Sequence, residues 1–350
     1  MENTNFLYEL LGKNALSITL IVTLPLVFVL IYALIAILAE LKVSAWIQER
    51  LGPMRTGPWG ILQPIAEVVK LLQKEDITPD KANKLLYNLA PFVMFTGAYA
   101  AFAVIPFSER FVPADINVGL FYVFAIGSVG SLGIVMGGWA SNNKYSLMGA
   151  MRSVAQIISY EIPAAMAILS IVVLASSMNL QEINSAQSGW FWNWYLFGGP
   201  GTIGKWWVIP FTVILAMIYF ISSLAETNRV PFDIPEGESE LVAGFHTEYG
   251  GIKFAMFFFA EYANMFVVAA ILTTIFLGGW NSPFGDLMQG PIWGVFWFIF
   301  KGFLVVLVQI WIRWTLPRFR VDQLMYLGWK ILLPISFVCF MAISLYVMLK

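Results

Sequence analysis

The sequence predicts an all-α polytopic membrane protein with eight transmembrane helices, and three observations lead to this fold class. Hydrophobic residues make up 59% of the 350-residue chain and charged residues only 12%, and the mean hydropathy is +0.76. A soluble domain of this composition would aggregate, whereas a lipid-embedded bundle requires it. Because apolar segments recur along the whole chain, we expect residues 1–350 to form a single helical bundle.

Eight apolar segments reach the length of about 20 residues that crosses a bilayer. They cover residues 16–39, 86–106, 118–138, 154–176, 206–225, 253–278, 291–312 and 329–349. The third span is rich in glycine between Gly127 and Gly138, and no strand precedes it. We therefore predict close helix packing there rather than a nucleotide-binding loop.

The basic residues predict the orientation of the spans. Of the 20 Lys and Arg residues, all but Lys13, Arg110, Lys205, Lys301 and Lys350 follow the first, third, fifth or seventh span. Cytoplasmic loops retain positive charge. Both termini are therefore expected on the periplasmic side of the membrane, or its equivalent.

Residues 40–85 form a predicted amphipathic segment on the cytoplasmic side. Apolar residues recur at helical spacing from Trp46 to Leu51 and again from Ile61 to Leu72. The pairs Gly52-Pro53 and Gly57-Pro58 separate the two parts, because this dipeptide favours turns. We predict amphipathic helices that lie along the membrane surface.

Three predicted spans carry a charged residue away from their ends, namely Glu161, Glu261 and Lys301. An ionised group at bilayer depth costs about 2.5–3.5 kcal/mol, so each must face protein or water, and such residues are usually functional. Lys301 is the weaker candidate, since its long side chain can reach the membrane surface. The structural alternative is an ion pair between Glu261 and Lys301.

A cytoplasmic-side acidic loop is predicted at residues 226–252. Its acidic residues are Glu226, Asp233, Glu236, Glu238, Glu240 and Glu248. Glu236 and Glu240 are four residues apart and share a face if this part is helical. Crowded carboxylates raise one another's pKa, so we predict a group that holds or passes protons. A solvated loop that pairs with basic partners is the alternative.

Composition excludes several kinds of site. The chain has one cysteine, Cys339, in an apolar setting, which indicates packing rather than redox chemistry. Its one histidine, His246, has no second histidine with which to ligate haem or zinc, and we expect a loop or interface position. No dinucleotide fingerprint, phosphate-binding loop, metal-ligand cluster or dense basic run occurs, which argues against flavin, nicotinamide, iron-sulfur, metal and nucleic-acid sites on this chain.

Four blocks of sequence together resemble the H subunits of bacterial NADH-quinone oxidoreductases, which are the counterparts of subunit 1 of mitochondrial complex I. The blocks are AELKVSAWIQERLGPMRTGPWGILQPIAEVVKLLQKEDITP, YSLMGAMRSVAQIISYEIP, AETNRVPFDIPEGESELVAGFHTEYGGIKFAMFFFAEY and WIRWTLPRFRVDQLMYLGWKILLPISF. The resemblance covers nearly the full chain and its blocks occur in the family's order.

The resemblance implies a bacterial inner-membrane component at the junction of two arms of a respiratory complex. Partner subunits of the peripheral arm would carry flavin and iron-sulfur clusters, and other partners would form the membrane arm. This chain would supply the membrane opening and much of the wall of a ubiquinone or menaquinone tunnel, shaped by Trp46, Arg50, Phe232, Phe245 and Arg313.

The resemblance also implies that the acidic residues couple quinone reduction to proton translocation. Asp233, Glu236, Glu238 and Glu240 would lie beside the quinone cavity, and Glu226, Glu248, Glu161 and Glu261 would lead from it into the membrane arm. The family usually has a basic residue where this chain has Leu41, so Lys42 or Arg50 would have to replace it at the tunnel mouth.

Two other functions share these features. A membrane component of an energy-converting hydrogenase would have similar helices and acidic positions, and a stand-alone secondary transporter could use buried acids as ion sites. Such transporters usually contain internal inverted repeats, and the sequence has no convincing repeat of that kind.

Overall fold

The computed structural model describes residues 8, 12, 14–200, 206–235, 237–285 and 287–349. Its helices in chain order are α1 (Ala15–Ile47), α2 (Gln63–Gln73), α3 (Lys84–Ala101), α4 (Gly119–Ala140), α5 (Lys144–Ala175), α6 (Leu180–Ala186), α7 (Ile209–Glu226), α8 (Glu238–Leu241), α9 (Gly251–Phe276), α10 (Pro291–Thr315), α11 (Val321–Tyr326) and α12 (Leu333–Met348). Within these residues the one β interaction is an isolated bridge between Trp190 and Phe284. The predicted all-α class is confirmed.

Seven helical segments in the described part of the chain are long and apolar enough to cross a membrane. They are α1, α4, α5, α7, α9, α10 and the continuous segment Val321–Leu349 that contains α11 and α12. The chain is therefore a polytopic membrane protein. The span predicted at 86–106 corresponds to α3, which is about 27 Å long at 1.5 Å per residue but is not among the seven. The count of eight thus stays a prediction.

Two helices extend beyond their predicted spans. Helix α1 continues to Ile47, so Trp46 belongs to its last turn and not to a separate amphipathic helix. Helix α5 begins at Lys144, ten residues before the predicted start at 154. Between α1 and α3, only α2 and the 3₁₀ turn Pro58–Gly60 are helical. Helix α2 exposes Ile65, Val69 and Leu72 at helical spacing, as expected for an amphipathic helix.

Asparagine side chains mark the starts of three helices. The Oδ1 atom of Asn143 accepts a hydrogen bond from the backbone N–H of Tyr145, 2.9 Å away, at the start of α5. Asn83 caps α3 and Asn179 caps α6 in the same way. Such caps satisfy backbone N–H groups that the first helical turn leaves unpaired.

Small residues bring neighbouring helices close, as the glycines of the third span predict. A Cβ atom added to Gly133 of α4 would lie only 2.8 Å from the backbone nitrogen of Met94 in α3. One added to Gly138 would lie 2.3 Å from Cβ of Ala150 in α5. Close backbone approach of this kind is a common way to pack helices in lipid.

Helix α9 is the centre of the bundle. In its most apolar window 78% of residues are buried, against 22–50% in the other six candidate spans. It packs against α1, α3, α7 and α10. An aromatic cluster surrounds Phe266 of α9, whose ring lies 4.8 Å from that of Tyr32 in α1. Because α9 carries Glu261 and Tyr262, these side chains lie inside the bundle.

The last span changes its helical form partway along. Residues Leu327–Leu332 form a π-helix between α11 and α12. Pro334 follows directly in the first turn of α12 and cannot donate a backbone hydrogen bond. The Tyr160 hydroxyl of α5 donates to the carbonyl of Leu324, 2.9 Å away, and anchors the segment just before the π-helix.

Candidate functional site

Glu40 of α1 is the centre of a buried charge cluster formed by four separate elements. Its Oε2 atom accepts a hydrogen bond from the Tyr262 hydroxyl at 2.6 Å and lies 3.2 Å from Nη1 of Arg229. Its Oε1 atom accepts from Nη1 of Arg313. The Arg229 guanidinium also lies over the Tyr262 ring, 4.6 Å from its centroid. One carboxylate thus contacts two guanidinium groups at a site where the Glu40 side chain is 10% exposed.

Sequence reasoning predicted Arg313 as a site residue but missed Glu40, Arg229 and Tyr262. The available signals were a carboxylate at the end of an apolar run and the single base of the acidic loop. The sequence did not indicate that Glu40 and Arg229 are partners, because the two residues are 189 positions apart. Only the packing of α1 against the turn after α7 brings them together.

Lys42 and Arg50, which were predicted to replace the basic residue that the family has at position 41, contact groups other than Glu40. The Lys42 ammonium donates to the carbonyl of Pro53 at 2.8 Å and so fastens the loop after α1. Arg50 donates to the exposed side chain of Gln48 at 2.6 Å. Trp46 is 75% exposed. Lys42 and Arg50 thus have partners outside the Glu40 cluster, and the predicted tunnel roles of Trp46 and Arg50 stay untested.

An apolar cavity of about 330 Å³ lies between α1, α2 and α9. Residues of all three helices line it: Ile37, Pro64, Glu67, Val68, Lys70, Leu71, Lys74, Phe254, Ala255, Phe258 and Phe259. Ile37 is one helical turn before Glu40, so the cavity and the charge cluster are neighbours along α1. The amphipathic helix α2 forms one wall of the cavity, and α1 and α9 form the others.

Phe232 and Phe245 are buried core residues in two different aromatic clusters. The Phe232 ring lies 5.2 Å from Tyr160 and 5.6 Å from Phe319. The Phe245 ring packs at 5.5 Å against Phe257 of α9. Both side chains are at most 2% exposed. They hold the acidic loop on the bundle, and their predicted contact with a tunnel stays untested.

Two acids of the loop are paired with arginines. Asp233 is 4% exposed and its Oδ2 atom lies 2.8 Å from Nη2 of Arg318. Glu240, with a 63% exposed side chain, pairs with Arg152 of α5 at 2.6 Å. Glu236 lies outside the described residues. The backbone of Glu238 belongs to α8, and its side chain lies outside the described part of the structure.

Glu248 is held beside α9 by a group of polar contacts. Its carboxylate accepts a hydrogen bond from Nδ2 of Asn143 at 2.6 Å. Its backbone carbonyl accepts from the Tyr87 hydroxyl at 2.7 Å. The Tyr87 ring stacks on Tyr249 with centroids 4.2 Å apart. Burial raises the pKa of the Tyr249 phenol above its ordinary value.

Glu226 and Glu261 line the same small polar cavity. Its volume is about 30 Å³, which is enough for a water molecule. Asn228 and Asn264 also line it. Glu261 is 6% exposed. The cavity therefore gives two acids from different helices, α7 and α9, a common polar space inside the bundle.

His246 links the acidic loop to Glu261. It lies in the predicted loop, but it is only 5% exposed. Its Nε2 atom is 3.8 Å from Oε1 of Glu261. Sequence reasoning did not foresee this approach, since the two residues belong to different elements.

Lys301 does not pair with Glu261, so the structural alternative proposed for them is wrong. The Lys301 ammonium donates to the backbone carbonyls of Leu277, Gly279 and Asn281 at 2.7, 3.1 and 2.7 Å. These carbonyls follow the C-terminal end of α9, where a helix favours a positive charge. Glu261 is located 16 residues before Leu277, about 24 Å away along the helix axis.

Glu161 opens onto an apolar groove on α4 and α5. The groove has a volume of about 410 Å³, and its other lining residues are hydrophobic. Glu226 and Glu261 share the small polar cavity, whereas Glu161 lines the groove. We call these three residues the acidic series.

No other chemical centre is visible in the parts of the chain that the structure describes. No group of three His, Cys, Asp or Glu residues there could hold a metal ion. Cys339 is 2% exposed and packs in the hydrophobic core.

The comparisons with known proteins agree with the fold. A family model described as NADH dehydrogenase matches residues 19–344. The NADH-quinone oxidoreductase H subunit of Chlorobium luteolum is 54% identical over 342 residues, which cover 95% of this chain and 89% of the relative. The H subunit of Chlorobaculum parvum is 51% identical over 348 residues, covering 96% and 94%. The H subunit numbered 2 of Cytophaga hutchinsonii is 46% identical over 347 residues, covering 90% and 95%.

Proposed function

The chain belongs to the NADH dehydrogenase family as a relative of the H subunits of NADH-quinone oxidoreductases, and from this premise we propose that it forms the membrane side of a quinone site and couples quinone reduction to proton translocation. The observation that carries the proposal is the Glu40 cluster next to the apolar cavity between α1, α2 and α9.

The cavity and the cluster match the two parts of a quinone. An isoprenoid tail is apolar and suits a space lined by Phe254, Phe258 and Phe259. The headgroup has two carbonyl oxygens that accept hydrogen bonds, and Arg229 and Arg313 provide charged donors near Glu40. We propose that quinone enters from the membrane through this cavity and that the headgroup passes the cluster.

Quinone reduction itself belongs to partner subunits in this proposal. Flavin and iron-sulfur clusters would sit on those partners, and ubiquinone or menaquinone would be the substrate. This chain would shape the tunnel, with Trp46, Arg50, Phe232, Phe245 and Arg313 as the residues implied by the family resemblance. To these residues we add α2 and Ala255, because both line the cavity.

The acidic residues would carry the effect of quinone reduction into the membrane. Asp233, Glu236, Glu238 and Glu240 would respond to the charge at the quinone site. Glu248, Glu261, Glu226 and Glu161 would hold or pass protons towards the membrane arm. Support comes from the polar cavity shared by Glu226 and Glu261, because neighbouring carboxylates in a confined polar space titrate together.

We further propose a bacterial inner membrane as the location, with both termini on the periplasmic side. Residues 40–85 and 226–252 would then face the cytoplasm, where the peripheral arm would dock. The bias of Lys and Arg towards the segments after the first, third, fifth and seventh predicted spans supports this orientation.

Narrowing the cavity tests the quinone route directly. Ala255→Trp places a large side chain in the cavity, whereas Ile252→Trp on the same helix changes a residue that is 47% exposed and outside the lining. In the intact complex we expect Ala255→Trp to raise the KM for a quinone analogue severalfold and leave NADH oxidation by ferricyanide unchanged. Equal kinetics for both variants and the parent would show that quinone takes another route.

A further inference from the structure

Gln156 is a buried residue of α5 whose amide bonds to both ends of the turn after α7. Its Nε2 atom lies 2.8 Å from the carbonyl oxygen of Ala225 and 2.7 Å from that of Phe232. It also lies 3.3 Å from Oδ1 of Asn228. Gln156 is 1% exposed. A buried amide is costly unless it is hydrogen-bonded, so these contacts explain how a polar side chain is tolerated here.

The two backbone carbonyls that Gln156 binds belong to the peptide groups directly before Glu226 and Asp233. Glu226 faces the small polar cavity inside the bundle, whereas Asp233 pairs with Arg318 in the loop. One side-chain amide therefore joins the backbone beside the membrane acid to the backbone beside the loop acid.

The same turn also carries a group of the proposed quinone site. Arg229 lies between the two bound carbonyls in sequence, and its guanidinium bonds to Glu40. The turn 225–232 thus connects three charged positions: Arg229 at the charge cluster, Glu226 at the cavity and Asp233 at the loop. Asn228 adopts a left-handed backbone conformation with φ of 51°, which lets the chain reverse within this short distance.

We propose that Gln156 is a positioning residue that keeps the turn 225–232 closed, so that Arg229, Glu226 and Asp233 shift together. This inference rests on the proposed function. With the amide in place, a displacement of Arg229 caused by a new charge at the quinone site moves the backbone of Glu226 as well. Without the Gln156 amide, the two ends of the turn can separate. A displacement of Arg229 then moves the loop but not the backbone of Glu226.

A purely structural role would give a different result. If Gln156 only satisfies two buried carbonyls, its removal lowers the amount of assembled complex but leaves each assembled molecule fully coupled. If it positions the turn, the assembled complex still reduces quinone but moves fewer protons for each quinone reduced. The ratio of protons to quinone therefore separates the two roles.

The test uses the intact complex in inverted membrane vesicles. Gln156→Met keeps the length of the side chain and removes both donors, whereas Gln156→Asn keeps the amide and withdraws it by one methylene group. Ser153→Ala is the matched control, because Ser153 lies on the same face one turn away and its hydroxyl contacts Asn228, at 3.4 Å, rather than the two carbonyls. NADH oxidation by ferricyanide reports assembly, and quinone reduction and proton uptake are then measured together.

We expect the proton-to-quinone ratio of Gln156→Met to fall to about half or less, with a smaller fall for Gln156→Asn and none for Ser153→Ala. An unchanged ratio in Gln156→Met overturns the inference. If that variant does not assemble, Gln156→Asn decides, and an unchanged ratio there has the same meaning. Glu226→Gln is measured in parallel. If the Glu226→Gln variant pumps protons normally, the proposed function itself is wrong. If the Glu226→Gln variant fails to pump while the Gln156→Met variant stays coupled, only the positioning role of Gln156 is wrong.

Discussion

His246 and Glu261 face each other where the acidic loop meets α9, with Nε2 of the histidine 3.8 Å from Oε1 of the glutamate. Both side chains are at most 7% exposed. The separation is too long for a hydrogen bond, so a direct proton exchange requires closer approach or a bridging water molecule. The position of the loop therefore determines the surroundings of Glu261, and the first prediction concerns what fixes that position.

We predict that Gly149→Ala displaces the loop from α5. A Cβ atom at Gly149 would lie 2.8 Å from Cα of Gly244, two residues before His246, and backbone atoms cannot move aside easily. The complex should lose about 1–3 kcal/mol of stability, seen as a lower melting temperature, together with reduced proton pumping. Gly250→Ala is the control, since nothing lies within 4 Å of the added atom. Identical melting of the two variants would contradict the prediction.

The second prediction concerns the acids as proton carriers. Glu226→Gln and Glu248→Gln keep the shape of the side chain but cannot release a proton. Proton pumping should fall by about tenfold or more in each, with NADH oxidation by ferricyanide unchanged. Glu182→Gln in α6, outside the acidic series, serves as the control. If quinone reduction and pumping both stayed at the parental level in the two variants, these carboxylates would have only a structural role.

The third prediction concerns the charge balance around Glu40. Glu40→Gln removes the carboxylate that contacts both Arg229 and Arg313, and breaking a buried ion pair costs about 3–5 kcal/mol. We expect a lower melting temperature and less assembled complex. Adding Arg229→Met to Glu40→Gln removes one of the two guanidinium groups and should recover part of the loss. A double variant that is no more stable than Glu40→Gln would mean that repulsion between the arginines is not the cause.

The fourth prediction separates Lys301 from the acidic series. Lys301→Met leaves three backbone carbonyls without their charged donor, which should lower stability by on the order of 3 kcal/mol. Because its ammonium binds beyond the far end of α9 from Glu261, the proton-to-quinone ratio of the assembled complex should not change. Lys330→Met removes an exposed lysine of the last span and should leave the melting temperature unchanged. A changed ratio in Lys301→Met would reinstate this residue as a functional one.

Much of this architecture follows from local patterns in the sequence. Apolar length and composition predict the spans, because lipid imposes that length on every crossing helix. Charged residues inside those spans drew attention to Glu161 and Glu261, and the structure brings Glu261 to the same cavity as Glu226. The glycines of the third predicted span correctly indicated close packing, because a residue without a side chain lets two helix backbones approach each other closely.

The pairing of distant residues, by contrast, has no local signal. Glu40, Arg229, Tyr262 and Arg313 come from four elements, and no periodicity links them. Lys301 was recognised as a charged residue inside a predicted span, but a sequence has no signal for the backbone carbonyls that it binds. Burial was equally hidden in the sequence, because Phe232 belongs to an acidic loop and is nevertheless only 2% exposed.

The π-helix at Leu327–Leu332 determines how α12 is rotated about its axis relative to α11. Each residue of an α-helix turns the chain by about 100°, whereas the i→i+5 hydrogen bonds of a π-helix spread each turn over more residues. Rewinding the same six residues as an α-helix would therefore rotate α12 by roughly 100° relative to α11. The narrow stripe of Ser336, Cys339 and Ile343, which is buried against the bundle, would then point to lipid or to a neighbouring protein of the complex. The π-helix thus determines which side of α12 packs against the bundle and which side faces lipid or a neighbouring protein.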